Sequence, residues 1–108
     1  MIVYICGKES PNYKEEYFEA DIWLAQKGYS AINPSLFFMT LPVLSNSQYQ
    51  IIRYKLIEIS DAIFMIHDWH QSKRACDELQ YAKSLGKKII YQDYFGRKNK
   101  QNETRNCD

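Results

Sequence analysis

The stretch that decides the fold is residues 61–92, DAIFMIHDWHQSKRACDELQYAKSLGKKIIYQ. Asp61 to Ile66 reads as a buried strand, because the five residues after Asp61 are apolar without alternation, the pattern of a strand covered on both faces. Residues 67–71 read as the loop at its carboxyl end. Ser72 stands where an N-cap opens a helix running to about Leu85, and Gly86 stops it as a C′ residue. Lys88 to Gln92 is a further strand. Strand, helix, strand over some thirty residues is a βαβ unit, which requires a parallel pair and a right-handed crossover.

Working outward, the same alternation recurs. Ile2 to Cys6 is an unalternating apolar run ended by Gly7 and reads as the first strand. Residues 13–27 place Tyr13, Tyr17, Ala20 and Leu24 at helical spacing, with Phe18, Ile22 and Ala25 widening the stripe, and Gly28 closes the helix. Residues 30–32, before Asn33-Pro34, form a short strand. Residues 35–46 are an apolar loop without a clean period, and Leu36 to Leu44 within it is a plausible subunit contact. Ser47 is read as the cap of a second helix whose apolar positions are Ile52, Leu56 and Ile59. The order predicts an α/β, flavodoxin-like three-layer fold with a small parallel sheet of about four strands. One domain over residues 1–96 is expected, followed by a polar, solvated tail over 97–108.

With 108 residues, 45% hydrophobic and 25% charged, the composition is that of one globular domain and excludes a largely disordered chain. Fourteen basic against thirteen acidic residues leave a formal charge of +1, so the total implies no polyelectrolyte partner such as a nucleic acid polymer. No apolar run approaches the roughly 20 residues of a membrane span, and Met1 leads into Ile2-Val3-Tyr4-Ile5 without signal-peptide character. A cytoplasmic location is therefore expected, with no membrane partner. Cys6, Cys76 and Cys107 are an odd number without metal-like spacing, so reduced thiols are expected.

In an open parallel sheet, ligands bind beyond the carboxyl ends of the strands, where residues 6–10, 33–35 and 67–72 converge. Gly7 permits close backbone approach and Lys8 offers charge to an anion. At 100° per residue, with Ala75 at zero, Leu79 falls near +40°, Ala82 near −20° and Glu78 near −60°. Glu78 therefore lies inside the apolar arc, where a carboxylate is costly unless paired or open to a cleft. Both readings stand: a functional carboxylate, or a glutamate paired with Lys8, Arg53 or Lys55. Ser72 with Lys73 and Arg74 either caps a solvated helix start or receives an anion at the helix N-terminus. Trp69 is a candidate ring-stacking residue or a lid over Phe37 or Phe38, and Asp68 a candidate acid/base group or a turn residue. His67 and His70 lack a third ligand, so no metal is expected.

Tyr4-Ile5-Cys6-Gly7, Tyr29 to Pro34, Asp61-Ala62-Ile63, then Trp69, Ser72, Ala75 and Glu78, and finally Ala82, Gly86 and Lys87 to Tyr91 resemble the nucleoside 2-deoxyribosyltransferase-like superfamily, in an uncharacterised bacterial and phage branch. The resemblance spans about residues 2–92. It implies cleavage or exchange of the N-glycosidic bond of 2′-deoxynucleosides or their 5′-monophosphates, without a cofactor. Glu78 matches the family's nucleophile, Ser72 a phosphate-contacting serine, and Tyr4 and Gly7 the motif lining the sugar site. The resemblance further implies a homodimer or larger homo-oligomer. Two departures stand out: Arg53 occupies the place of an aspartate, and Arg74 that of a glycine. Asp68 is the candidate replacement for the lost carboxylate, and a catalytically inactive nucleotide-binding or interaction module is the alternative reading.

Overall fold

The computed structural model describes residues 1–9, 12–36 and 44–92. The elements in chain order are β1 (Ile2–Cys6), α1 (Tyr13–Gln26), β2 (Ser30–Ile32), α2 (Asn46–Ile59), β3 (Ala62–Met65), a single 3₁₀ turn (Trp69–Gln71), α3 (Lys73–Ser84) and β4 (Lys88–Tyr91). The four strands form one sheet in the order β2-β1-β3-β4, all parallel. The central register sets Tyr4 against Ile63 and Cys6 against Met65. This is the expected α/β, flavodoxin-like arrangement, with two buried central strands and two half-covered edges.

Strand alternation divides the core between two faces. Val3, Ile5, Ala62, Phe64 and Ile66 pack under Tyr17, Ala20 and Leu24 of α1. Tyr4, Cys6, Ile63 and Met65 pack instead under Ile57 of α2 and Ala75, Cys76, Leu79 and Ala82 of α3. The parity of β1 thus decides which of its side chains meet α3. Gly28 and Gly86 follow the C-termini of α1 and α3 at φ +87° and +73°, left-handed conformations that glycine adopts without a Cβ penalty.

The differences from expectation lie on helix faces and caps. Phe18 and Ile22 do not widen the buried stripe of α1; they are 42% and 59% exposed. Ser45, not Ser47, caps α2, accepting from Gln48 N while the Gln48 side chain accepts from Ser45 N, a complete capping box. The inward face of α2 is rotated by one residue: Arg53, Ile57 and Ser60 are buried, and Ile59 is 62% exposed. The cause is polar, because Arg53 reaches a carboxylate under the helix. Phe37, Phe38 and most of the apolar loop, like the tail from residue 93, lie outside the described residues. No helix among the described residues is long and apolar enough to cross a membrane.

Candidate functional site

The site is built where α3 crosses the even-numbered side chains of β1. Ser72 opens α3 by accepting from Ala75 N at 3.1 Å, which fixes the rotation of the helix. Two turns on, Glu78 points at the sheet and is 1% exposed. A buried carboxylate is tolerable only with partners, and it has them on both oxygens. Oε1 accepts from the Tyr4 hydroxyl at 3.0 Å and from the Cys6 thiol at 3.3 Å. Oε2 accepts from Arg74 Nη1 at 3.0 Å, and Arg53 Nε makes an ion-pair contact with it, also at 3.0 Å. Arg74 spans the site, donating from Nη2 to the Gly7 carbonyl at 2.8 Å.

The environment sets the protonation of the donors. Burial, and then the neighbouring Glu78 carboxylate, push the Tyr4 hydroxyl and the Cys6 thiol well above their ordinary values. Both stay protonated at neutral pH and act as donors to Oε1; the thiol is no nucleophile. For Arg74, burial disfavours the charge, but Glu78 together with Tyr17, Cys6 and Tyr4 outweighs it and the net direction is upward. The guanidinium is a fixed cation.

Above this carboxylate lies an open cleft of about 980 Å³. Its walls are the loop after β1 (Lys8, Glu9), the first turns of α2 (Asn46 to Tyr54, through Arg53) and the start of α3 (Gln71 to Arg74, with Asp77 and Glu78). Four basic side chains, Lys8, Arg53, Lys73 and Arg74, meet three acidic ones, Glu9, Asp77 and Glu78. Lys73 is neutralised in part by Asp77 at 3.2 Å, and Lys8 donates to Gln71. The ring of Tyr54 stacks on Tyr81 with centroids 4.3 Å apart. Gly7 sits below the mouth with no room for a larger residue, since a Cβ there would come within 2.9 Å of Ile66.

Of the residues singled out in the sequence, Glu78, Tyr4, Gly7 and Arg74 are joined in one hydrogen-bonded cluster, and Lys8 and Ser72 line the cleft above it. Trp69 and Asp68 are not in this group. Trp69 is 4% exposed, buried in the α3-side core with its ring 6.0 Å from Tyr91. Asp68 instead holds His67, whose Nδ1 lies 3.0 Å from Asp68 Oδ1 and whose Nε2 lies 3.8 Å from Glu16 Oε2. These three groups lie close enough to share an ion, a grouping that spacing missed because Glu16 comes from α1. Sequence reasoning also left Arg74 unpaired with Glu78, although their i, i+4 spacing is a helix-face pairing. Cys6 was readable only once the parity of β1 was known.

The model of the family described as a domain of unknown function, DUF4406, matches residues 1–91. The chain belongs to that family. Among solved structures it is similar to the Clostridium botulinum CMP N-glycosidase BcmB, with a TM-score of 0.63 and 21% identity over 84% of this chain and 67% of that one. The likeness shows the shared flavodoxin-like fold. No curated protein matches.

Proposed function

We propose that this protein is an N-glycosidase or 2-deoxyribosyltransferase that acts on 2′-deoxynucleosides or their 5′-monophosphates through a covalent intermediate on Glu78. The observation that carries the reading is a carboxylate buried at the floor of a cleft that is large enough for a nucleotide and carries four cations. The cleft stands at the carboxyl edge of the sheet, the usual ligand position of open α/β folds. The relative of known structure is itself named for cleaving the N-glycosidic bond of CMP.

In this mechanism a Glu78 oxygen bonds to C1′ as the C1′–N bond breaks, and the departing base takes the bonding electrons and a proton from solvent in the open cleft, which the incoming nucleophile returns to solvent in the second half-reaction. Tyr4 and Cys6 orient the carboxylate, and the Arg53 guanidinium balances its charge before attack. In the second half-reaction, water or a second base attacks C1′, Glu78 leaves as carboxylate, and the incoming nucleophile gives up its proton. Lys8, Ser72 and Arg74 would receive a 5′-phosphate at the start of α3. Asp77 is the carboxylate on the cleft wall nearest in sequence to Glu78, and Asp68 is proposed as acid only through movement of its loop. Trp69 likewise reaches a base only if it leaves the core, and Tyr49 and Tyr54 are the aromatic residues among the described ones that line the cleft.

No cofactor enters this scheme, and the partner is a small nucleoside or nucleotide. We extend the proposal to a cytoplasmic homodimer or larger homo-oligomer built on a 1–96 domain with a solvated tail over 97–108. Phe18, Ile22 and Trp23, all more than 40% exposed on α1, supply an apolar surface for association.

A second reading has its own observation. Both oxygens of Glu78 are engaged, with charged partners on one of them, as in a structural ion cluster of a binding module. The two readings part in one assay: the purified protein with the four 2′-deoxynucleosides and their 5′-monophosphates, with and without a free base, followed by chromatography. Base release or exchange supports the enzyme. Thermal stabilisation by one of the compounds without release supports the module.

A further inference from the structure

Attack on C1′ needs a lone pair of Glu78 directed into the cleft. A carboxylate offers about four lone-pair directions, and here three hydrogen bonds and one ion-pair contact surround it. One neighbour has to withdraw before a sugar can bond there. Tyr4 and Cys6 lie on the central strand β1 and are fully buried, so they have nowhere to go. Arg53 is 10% exposed along its side chain, seated under α2. Arg74 is 23% exposed, stands on the cleft wall, and grips the rest of the protein through the Gly7 carbonyl and Glu78 Oε2. The Gly7 carbonyl does not depend on it, because Tyr17 also donates to that oxygen at 2.9 Å.

Resting on the reading of Glu78 as nucleophile, we infer that Arg74 is a specificity-determining latch that covers Glu78 until an anionic group of the ligand draws the guanidinium away. Arg74 lies in the first turn of α3, beside Ser72 and Lys73, and Lys8, which donates to Gln71, lines the same cleft, so an incoming phosphate meets three cations there. Arg74 now donates one N–H to Glu78 Oε2 and another to the Gly7 carbonyl, and two oxygens of a phosphate can accept both, so the guanidinium keeps its hydrogen bonds through the exchange. The released oxygen faces the sugar of that same ligand. A neutral nucleoside provides no competing anion and meets a covered carboxylate. The latch thus makes the phosphate a condition of chemistry as well as an anchor.

The test compares wild type with Arg74→Ala on one 2′-deoxynucleoside, on its 5′-monophosphate, and on the nucleoside plus inorganic phosphate. Wild type is expected to prefer the monophosphate. In Arg74→Ala, kcat/KM is expected to rise for the bare nucleoside and fall for the monophosphate, narrowing the preference by about ten- to a hundredfold, the worth of a charge-assisted pairing. Stimulation of nucleoside cleavage by inorganic phosphate in wild type but not in Arg74→Ala marks a latch opened by a free anion; stimulation by the attached phosphate alone marks one that requires the ligand's own. An equal fall on both substrates, or an unchanged preference, overturns the latch. Glu78→Gln run alongside separates the two ideas, because undiminished release by that variant removes the nucleophile reading whatever Arg74→Ala does. If wild type releases no base at all, the nucleophile reading falls and the latch falls with it, whereas release by wild type with an unchanged preference in Arg74→Ala overturns the latch alone.

Discussion

Tyr4 and Cys6 make different claims about the carboxylate they share. Tyr4→Phe keeps the buried ring and deletes one donor to Glu78 Oε1, so base release is expected to fall about ten- to a hundredfold while stability changes by less than about 1.5 kcal/mol. Steady-state kinetics and a denaturant titration of the variant check both halves, and an unchanged rate would detach Tyr4 from the site. Cys6 is held as a thiol by burial and by Glu78, so it is expected to resist iodoacetamide at pH 8 in the native protein and to react once unfolded. Peptide mapping after alkylation reads this directly. At this scale the sequence was partly legible. The angular position of Glu78 marked a carboxylate facing the core, and Arg53 stood among its candidate partners. The Tyr4 and Cys6 contacts span more than 70 residues, and helical periodicity carries no information across that distance.

The helices show where periodicity succeeds and where chemistry overrides it. Gly28 and Gly86 were readable as helix stops because a left-handed residue there has a strong glycine preference. The face of α2 was misread by one position, because counting apolar residues favours Ile52, Leu56 and Ile59, whereas the fold turns Arg53 inward to Glu78. Phe18 and Ile22 fall beside the helically spaced stripe of α1 in the sequence yet stay exposed, because a helix covering one side of a small sheet has only one narrow stripe to bury. The capping box at Ser45 supplies a prediction. Ser45→Ala removes the acceptor for Gln48 N and is expected to cost about 1 kcal/mol in chemical denaturation. Ser47→Ala, which removes no cap, is expected to change stability by less than about 0.5 kcal/mol. Equal effects would place the start of α2 elsewhere.

For the molecule as a whole, the parallel sheet follows from the alternation of strands and helices, and the two-faced core from strand parity, so the fold class was readable from the chain, whereas the strand order β2-β1-β3-β4 is seen only in the structure. The cleft was readable only in outline: the carboxyl edge of the sheet located it, but of the α2 wall only Arg53 stood out in the sequence, as a candidate partner of Glu78. The buried acids give the whole fold a pH dependence. Folded-state values for Cys6 and Tyr4 lie above their ordinary 9.0 and 10.0, so the folded protein holds protons that the unfolded chain releases. Their contribution is complete below about pH 9 and declines as pH rises from there toward the folded-state values. Urea midpoints measured between pH 7 and 10.5 are expected to drop across the upper part of that range, and a rise would contradict the assignment.

In the proposed reaction Glu78 is the group that takes the sugar. The most direct test is base release from a 2′-deoxynucleoside 5′-monophosphate by wild type and by Glu78→Gln, which keeps the shape and some of the hydrogen bonds of the buried cluster, with thermal melting to confirm that both are folded. Release by wild type and a loss of about a thousandfold or more in the variant are expected. Release at a comparable rate by folded Glu78→Gln would contradict that role of Glu78.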